Sequence, residues 1–193
     1  MAEDEPAMTR FPVPDVDELP EDLQERIEEE TERAGFTPNV FLAYGYKPSH
    51  FRSFFRYYDA LVEDTSLERD EVEMIVVAVS GANGCLYCNV AHGALLRVYG
   101  DDPHLADQLI SNPLAADLNE HHRAMVDLAV TLTDQDAMVD VDEHDFEELL
   151  DAGLTREEIW DVGAVASFFN LSNRMAHLAD MRPNDEFYDM ARE

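Results

Sequence analysis

Residues 74–79 read Met-Ile-Val-Val-Ala-Val, a β-branched run that intrinsic preference alone would make a buried strand. A strand needs a partner, and no other segment of the 193 residues offers a convincing one. The lead-in at 66–73 is polar, with Ser66 as a candidate N-cap, and this favours a helix over about residues 66–79. A helix apolar on most of its sides has to be buried.

The rest of the chain reads as further helices. A charged helix over residues 21–34 stops at Gly35. Over residues 49–64, Phe51, Phe54, Phe55, Tyr58 and Leu61 recur at spacings of three and four and trace one core-facing stripe. Gly81, Asn83 and Gly84 are expected to break the central helix, and a new one runs over 85–99 to Gly100. Asp102-Pro103 reads as the start of another helix, with cap and N1 proline in the preferred order. Helices follow over 121–133 and 142–152, the second closed by Gly153. Thr155 and Glu158 form a capping box that opens a long last helix through Trp160, Phe168 and Leu171. Residues 1–15, acidic and holding Pro6, Pro12 and Pro14, read as a flexible segment, leaving 16–193 as one domain.

Charge narrows the partners. Asp and Glu number 43 against 13 Lys and Arg, a formal charge of −30, and Lys47 is the only lysine. Such a surface repels nucleic acid and anionic membranes. The acid is spread along the whole chain, as in proteins of salt-accumulating halophilic microbes. No apolar run approaches the ~20 residues that span a bilayer, and the acidic start does not resemble a signal peptide, so a cytoplasmic location is expected.

There are two cysteines, Cys85 and Cys88. Their loop is too short for a disulfide to stabilise much by chain entropy, so the pair calls for a chemical explanation. At the start of a helix, positions i and i+3 share a face, and the unpaired N–H groups there favour a thiolate. His92 lies on the same face, one to two turns on, where it can take or pass a proton. Glu73, from the preceding helix, could polarise that histidine. Structural zinc uses the same cysteine spacing, with Glu73, His121, His122 or His177 as a possible fourth ligand after His92; a catalytic site without metal is preferred because of the joint spacing of all four residues.

Glu73, Cys85-x-x-Cys88 and His92 resemble the motif of the alkylhydroperoxidase D-like branch of the carboxymuconolactone decarboxylase family. The stretch from Gly35 to Phe41 with Pro48 looks like the lead-in of its peroxidase-related subgroup, and Asn170, Asn173 and Arg174 match an Asn-x-x-Asn-Arg stretch. The resemblance implies an all-α, single-domain helical bundle that assembles as a homotrimer or homohexamer. It implies a thiol-dependent hydroperoxide reductase in which Cys88 attacks, Cys85 resolves, and Glu73 and His92 relay protons. No cofactor is implied beyond an external dithiol, a thioredoxin-like or lipoyl protein. Helix position alone favours Cys85 as the more acidic thiol. Tyr87 stands where well-known members have histidine, and it joins Asn170, Asn173 and Arg174 as a candidate substrate-binding residue. The alternatives are a lactone decarboxylase, or a zinc-stabilised or redox-sensing module.

Overall fold

A computed structural model describes residues 6–192. Within them the chain forms eleven α-helices: α1 (Glu21–Ala34), α2 (Asn39–Gly45), α3 (Pro48–Glu63), α4 (Arg69–Ala82), α5 (Leu86–Tyr99), α6 (Leu105–Ser111), α7 (Glu120–Thr131), α8 (Gln135–Met138), α9 (Glu143–Asp151), α10 (Arg156–Ala179) and α11 (Glu186–Asp189). No strand forms among the described residues; the one β-type contact is an isolated bridge between Met8 and Met181. The fold is all-α.

The β-branched run is helical and central. Residues Val72 to Ser80 of α4 are all buried, and α5, α6, α7 and α10 pack around them. A β-branched residue is only a mediocre helix former, and burial on every side overrides that preference. Ile75, Val77 and Val79 are fully buried and sit with Met125, Val126, Val162 and Val165 in the main core. Two polar residues interrupt this buried stretch, Glu73 and Ser80. Burying them without partners would cost free energy, so each marks a place where something must bond to them.

Several boundaries differ from expectation. Ser66 does not cap α4. Its N–H and hydroxyl both donate to Asp161, each at 2.7 Å, and the helix starts after Glu68, whose N–H donates to the Glu71 carboxylate at 2.8 Å. Gly81 does not break α4 but lies within it. A Cβ there would stand 3.1 Å from the Ile110 Cα, so the glycine lets α6 approach closely. The break comes at Gly84, whose φ of +62° turns the chain into α5.

Residues 1–5 of the expected flexible segment lie outside the described residues. From residue 7 onward the chain is held: Ala7 and Met8 are buried, the Arg182 N–H donates to the Ala7 carbonyl at 3.0 Å, and Arg10 Nη1 donates to the His177 carbonyl at 2.8 Å. Met8 belongs to a second apolar cluster with Cys85, Cys88, Ala176 and Met181, so an apolar side chain, not the local acidity and prolines, decides the path. A third cluster joins α1, α2 and α3 through Leu23, Ile27, Phe41, Phe51 and Phe55.

Candidate active site

The turn at Gly84 delivers Cys85 as the N-cap of α5, where its Sγ accepts the Cys88 backbone N–H at 3.4 Å. Both cysteines are free thiols, 1 % and 2 % exposed. Their acidities are driven apart. A hydrogen bond from the Cys88 thiol, supported by backbone N–H groups and the Asn173 amide, holds Cys85 below the ordinary thiol value even against burial. The same hydrogen bond, burial and the negative charge on Cys85 push Cys88 well above it. One proton is thus shared by two sulfurs, and the pair carries a single thiolate more readily than two.

Glu73 and His92 meet directly. Glu73 Oε2 lies 2.7 Å from His92 Nδ1, with Glu73 1 % and His92 13 % exposed at the side chain. A carboxylate can only accept, so Nδ1–H donates and Nε2 is left as the nitrogen that exchanges protons. Glu73 Oε1 pairs with Arg69 Nη2 at 2.6 Å, one helical turn back on α4. Arg69 Nη2 also donates to the Tyr58 hydroxyl at 3.2 Å, and the guanidinium stacks 5.0 Å from the Tyr99 ring. Burial and the Glu73 charge push the Tyr58 phenol up to about 12, so it remains protonated. Phe169 meets the His92 ring edge-on at 4.8 Å.

A cavity of about 250 Å³ opens beside these groups. Cys88, His92, Tyr58 and Arg69 line it among Phe168 and Phe169, while Cys85 lies behind the wall. Among the described residues no hydrogen bond joins His92 to either sulfur, and both His92 and Cys88 face the cavity.

Over 98% of this chain and 98% of its own, an alkylhydroperoxidase AhpD core, an uncharacterized peroxidase-related protein from Ralstonia eutropha JMP134, matches at 49% identity with a TM-score of 0.94. The family model for carboxymuconolactone decarboxylases matches residues 48–116, the stretch holding Glu73, both cysteines and His92. The chain belongs to the carboxymuconolactone decarboxylase family. A second peroxidase-related member, from Silicibacter sp. TM1040, shares 36% identity over 100% of this chain and 99% of its own, with a TM-score of 0.89. The debrominase Bmp8, crystallised with 2,3,4-tribromopyrrole, shares the fold at 18% identity and a TM-score of 0.73, over 86% of this chain and 88% of its own. No protein of curated function matches the sequence.

In this family member the remaining expected residues take different places. Tyr87 lines the cavity, but its hydroxyl is committed, accepting the Val40 N–H at 3.1 Å. Asn170, Asn173 and Arg174 are not in the cavity wall. Asn173 is fully buried; its Oδ1 accepts from Asn83 at 2.9 Å and its Nδ2 donates to Ser80 Oγ at 3.1 Å. It thereby satisfies the second buried polar residue of α4 and braces the turn before Cys85. Asn170 also accepts from Asn83, at 2.9 Å. Arg174 is exposed and spends Nη1 on its own helix, at the Asn170 carbonyl and side chain. Trp160 is 77 % exposed and so contributes little to the core.

Among the described residues no three His, Cys, Asp or Glu side chains converge as a metal site would need. His121 and His122 pair with Glu158 and Glu71, and His177 bonds the Asn83 carbonyl at 3.0 Å. No helix among the described residues is long and apolar enough to cross a membrane. Sequence reasoning missed Arg69, Tyr58, Ser80 and Asn83. Arg69 alone carried a signal: it stands four residues before Glu73, on the same helical face, in a chain poor in cations.

Proposed function

We propose that this protein is a thiol-dependent hydroperoxide reductase whose cysteine pair cycles between dithiol and disulfide. The observation that carries the reading is Cys88 in the wall of an apolar cavity, with Cys85 behind it and a Glu73-anchored His92 in the same wall. A lactone decarboxylase has no use for paired thiols.

Of the two thiols Cys85 is held the more acidic, so the pair's thiolate forms there first. Transfer of the shared proton from Cys88 to Cys85 places the charge on the sulfur that faces the cavity. That thiolate attacks the terminal oxygen of the hydroperoxide. The O–O bond breaks, Cys88 becomes a sulfenic acid, and the departing alkoxide takes a proton that His92 Nε2 has first picked up from solvent, Nδ1–H staying on Glu73, and leaves as an alcohol. Cys85 then gives its proton to the relay and attacks the Cys88 sulfur. The S–S bond forms, the S–O bond breaks, and the hydroxide leaves as water with that proton. Two electrons have passed from the pair to the peroxide, and an external dithiol, from a thioredoxin-like or lipoyl protein, returns them. Glu73 holds the Nδ1–H tautomer throughout, and Tyr87 positions the α2–α5 contact. Self-association as a homotrimer or homohexamer and a cytoplasmic location belong to the same proposal.

The test is direct. Reduced protein, freed of reductant, is treated with hydroperoxide in molar KCl and followed by intact mass and peroxide loss. The expected result is loss of two hydrogens per chain with matching peroxide consumption, abolished in Cys88→Ser. An unchanged mass with no peroxide consumed would overturn the proposal.

A further inference from the structure

Two residues of the cavity wall come from outside the main helical bundle. Phe187 and Met190 line the cavity together with Cys88 and His92, and they belong to the segment after α10 that holds the four-residue helix α11. Phe187 is buried in the same apolar cluster as both cysteines and meets Phe36 edge-on at 4.9 Å. A helix this short cannot hold itself, so its place depends on what docks it. The start of the segment is tied to the entry of α2: the Asn39 N–H donates to Asn184 Oδ1 at 2.8 Å, and Asn184 Nδ2 donates to the Thr37 carbonyl at 2.9 Å. The last turn is held by Arg97 of α5. Its Nε donates to the Met190 carbonyl at 3.0 Å and its Nη2 to the Phe187 carbonyl at 3.1 Å. Arg97 is 8 % exposed and does not line the cavity. Burying a guanidinium is costly, and here burial and the like charge of Arg192 outweigh the support of Asp107. Two charge-assisted hydrogen bonds offset that cost, and both are aimed at the carbonyls of the residues that wall the cavity. In a chain with 13 basic residues against 43 acids, a buried arginine committed to two backbone carbonyls marks a position that has to be kept.

We infer that Phe187 and Met190 are the specificity-determining wall of the site and that Arg97 is the positioning residue that docks them, so that the cavity admits a single ring or a short branched chain and excludes a second ring. Size follows from volume. Roughly 150 Å³ of dry cavity holds benzene, so about 250 Å³ holds about ten non-hydrogen atoms. A larger group would have to displace packed side chains, and overpacking is penalised. The Phe187 ring is the part of the wall whose removal frees the space of one ring. Arg97 acts without touching the ligand: when its two hydrogen bonds are lost, α11 is no longer fixed against α5 and the wall gives way. The inference deepens the reductase reading by setting its substrate class, hydroperoxides whose organic part is no larger than one ring with a short branch.

The test uses unreactive alcohols, so that it does not depend on peroxide chemistry. 2-Phenyl-2-propanol and 2-(biphenyl-4-yl)-2-propanol share the polar end and differ by one ring. Calorimetric titration of the reduced full-length protein is expected to show the one-ring alcohol binding about tenfold or more tighter than the two-ring alcohol. Phe187→Ala is expected to abolish or reverse that preference. Arg97→Gln cannot span both carbonyls and is expected to relax the preference about fivefold or more, although residue 97 is not in the wall. Arg97→Lys keeps the cation and one hydrogen bond and is expected to fall between Gln and wild type; it decides the role of Arg97 if the Gln variant does not fold. Equal binding of the two alcohols to the wild type, or binding of neither, would overturn the inference. An unaltered preference in Phe187→Ala would remove the wall, and an unaltered preference in both folded Arg97 variants would remove the positioning role. Size selection as expected in a protein that consumes no hydroperoxide would overturn the reductase reading and leave the wall and its clamp standing.

Discussion

Glu73 Oε2 and His92 Nδ1 are 2.7 Å apart in a place where the carboxylate has almost no contact with water. The contact fixes the imidazole tautomer, and with Arg69 it forms a buried charge network spanning α4 and α5. Replacing Glu73 by Gln keeps the shape and removes the charge. His92 then loses its anchor and Arg69 loses its counter-charge inside the protein. The expected results are a fall of about 100-fold in the rate of thiol oxidation by hydroperoxide and a loss of about 3 kcal/mol of stability. Stopped-flow peroxide kinetics and a urea melt measure the two. A Glu73→Gln protein that reacts at the wild-type rate would remove Glu73 from the relay.

How much of this network was legible in the sequence depends on whether its members share one element. Cys85, Cys88 and His92 lie on α5 or at its cap, so helical spacing alone puts them on one face. Glu73 lies on the neighbouring helix, and only the resemblance to a family pointed to it. Arg69 stands one turn before Glu73 on α4 and was within reach of a spacing argument, whereas Tyr58 and Phe169 come from α3 and α10 and become neighbours only once those helices pack. The same limit explains Ser66. Any of several polar residues could cap α4, and Asp161, nearly a hundred positions away, decides which of them is free. The short helices α2, α8 and α11 were missed because so few residues carry too little periodicity. The central helix was readable because its alternative, a strand, had nothing to pair with.

The two thiols should titrate far apart. Cys85 loses its proton more readily in the folded protein than in the unfolded chain. Its thiolate therefore contributes stability above the ordinary thiol range, near about pH 8.5, and that contribution is lost as pH falls through the lowered folded value. Cys88 is the reverse case. Its protonated form contributes stability that is complete below about pH 8.5 and is lost as pH rises toward its raised folded value. Thiolate absorbance at 240 nm in the reduced protein should show one step below the ordinary range and no second step until well above it. In Cys88→Ala the hydrogen-bond donor to Cys85 is gone, and the remaining step should move up. Two superimposed steps at the ordinary value would contradict the shared-proton arrangement.

Asn173 should matter to the cysteines although it does not line the cavity. Its amide is locked by Asn83 on the oxygen side and Ser80 on the nitrogen side, and it favours the charged form of Cys85. Asn173→Ala leaves Ser80 and Asn83 short of partners in a fully buried place, at a cost of about 1–3 kcal/mol. The Cys85 titration should rise with it. Asn173→Asp adds a negative charge near the thiolate and should raise the titration further than Ala does. A variant that loses stability but keeps the wild-type titration would limit Asn173 to bracing the turn.

Stability should also rise steeply with salt. The chain carries 43 acidic residues, and its 13 basic residues cannot neutralise them. Many of those bases are already committed, as in Arg26–Asp59, Arg52–Asp22 and Arg192–Asp107, so the acids outnumber the cations that could neutralise them. The Debye length shrinks from about 10 Å at 0.1 M salt to about 3 Å at 1 M, which removes most repulsion between neighbours on the surface. Salt also weakens exposed pairs such as Arg52–Asp22, but such pairs contribute about 0–1 kcal/mol each, and unpaired acids outnumber them. The buried Glu73–Arg69–His92 network is shielded from the change. The melting temperature is expected to climb by about 10 °C between 0.1 M and 2 M KCl, equivalent to about 3 kcal/mol for a chain of this size. Calorimetry with sucrose as a non-ionic control separates screening from general exclusion effects, since sucrose stabilises without shortening the Debye length. A melting temperature that ignores KCl would show that the surface charge is tolerated without salt, and the halophilic reading of the composition would fall with it.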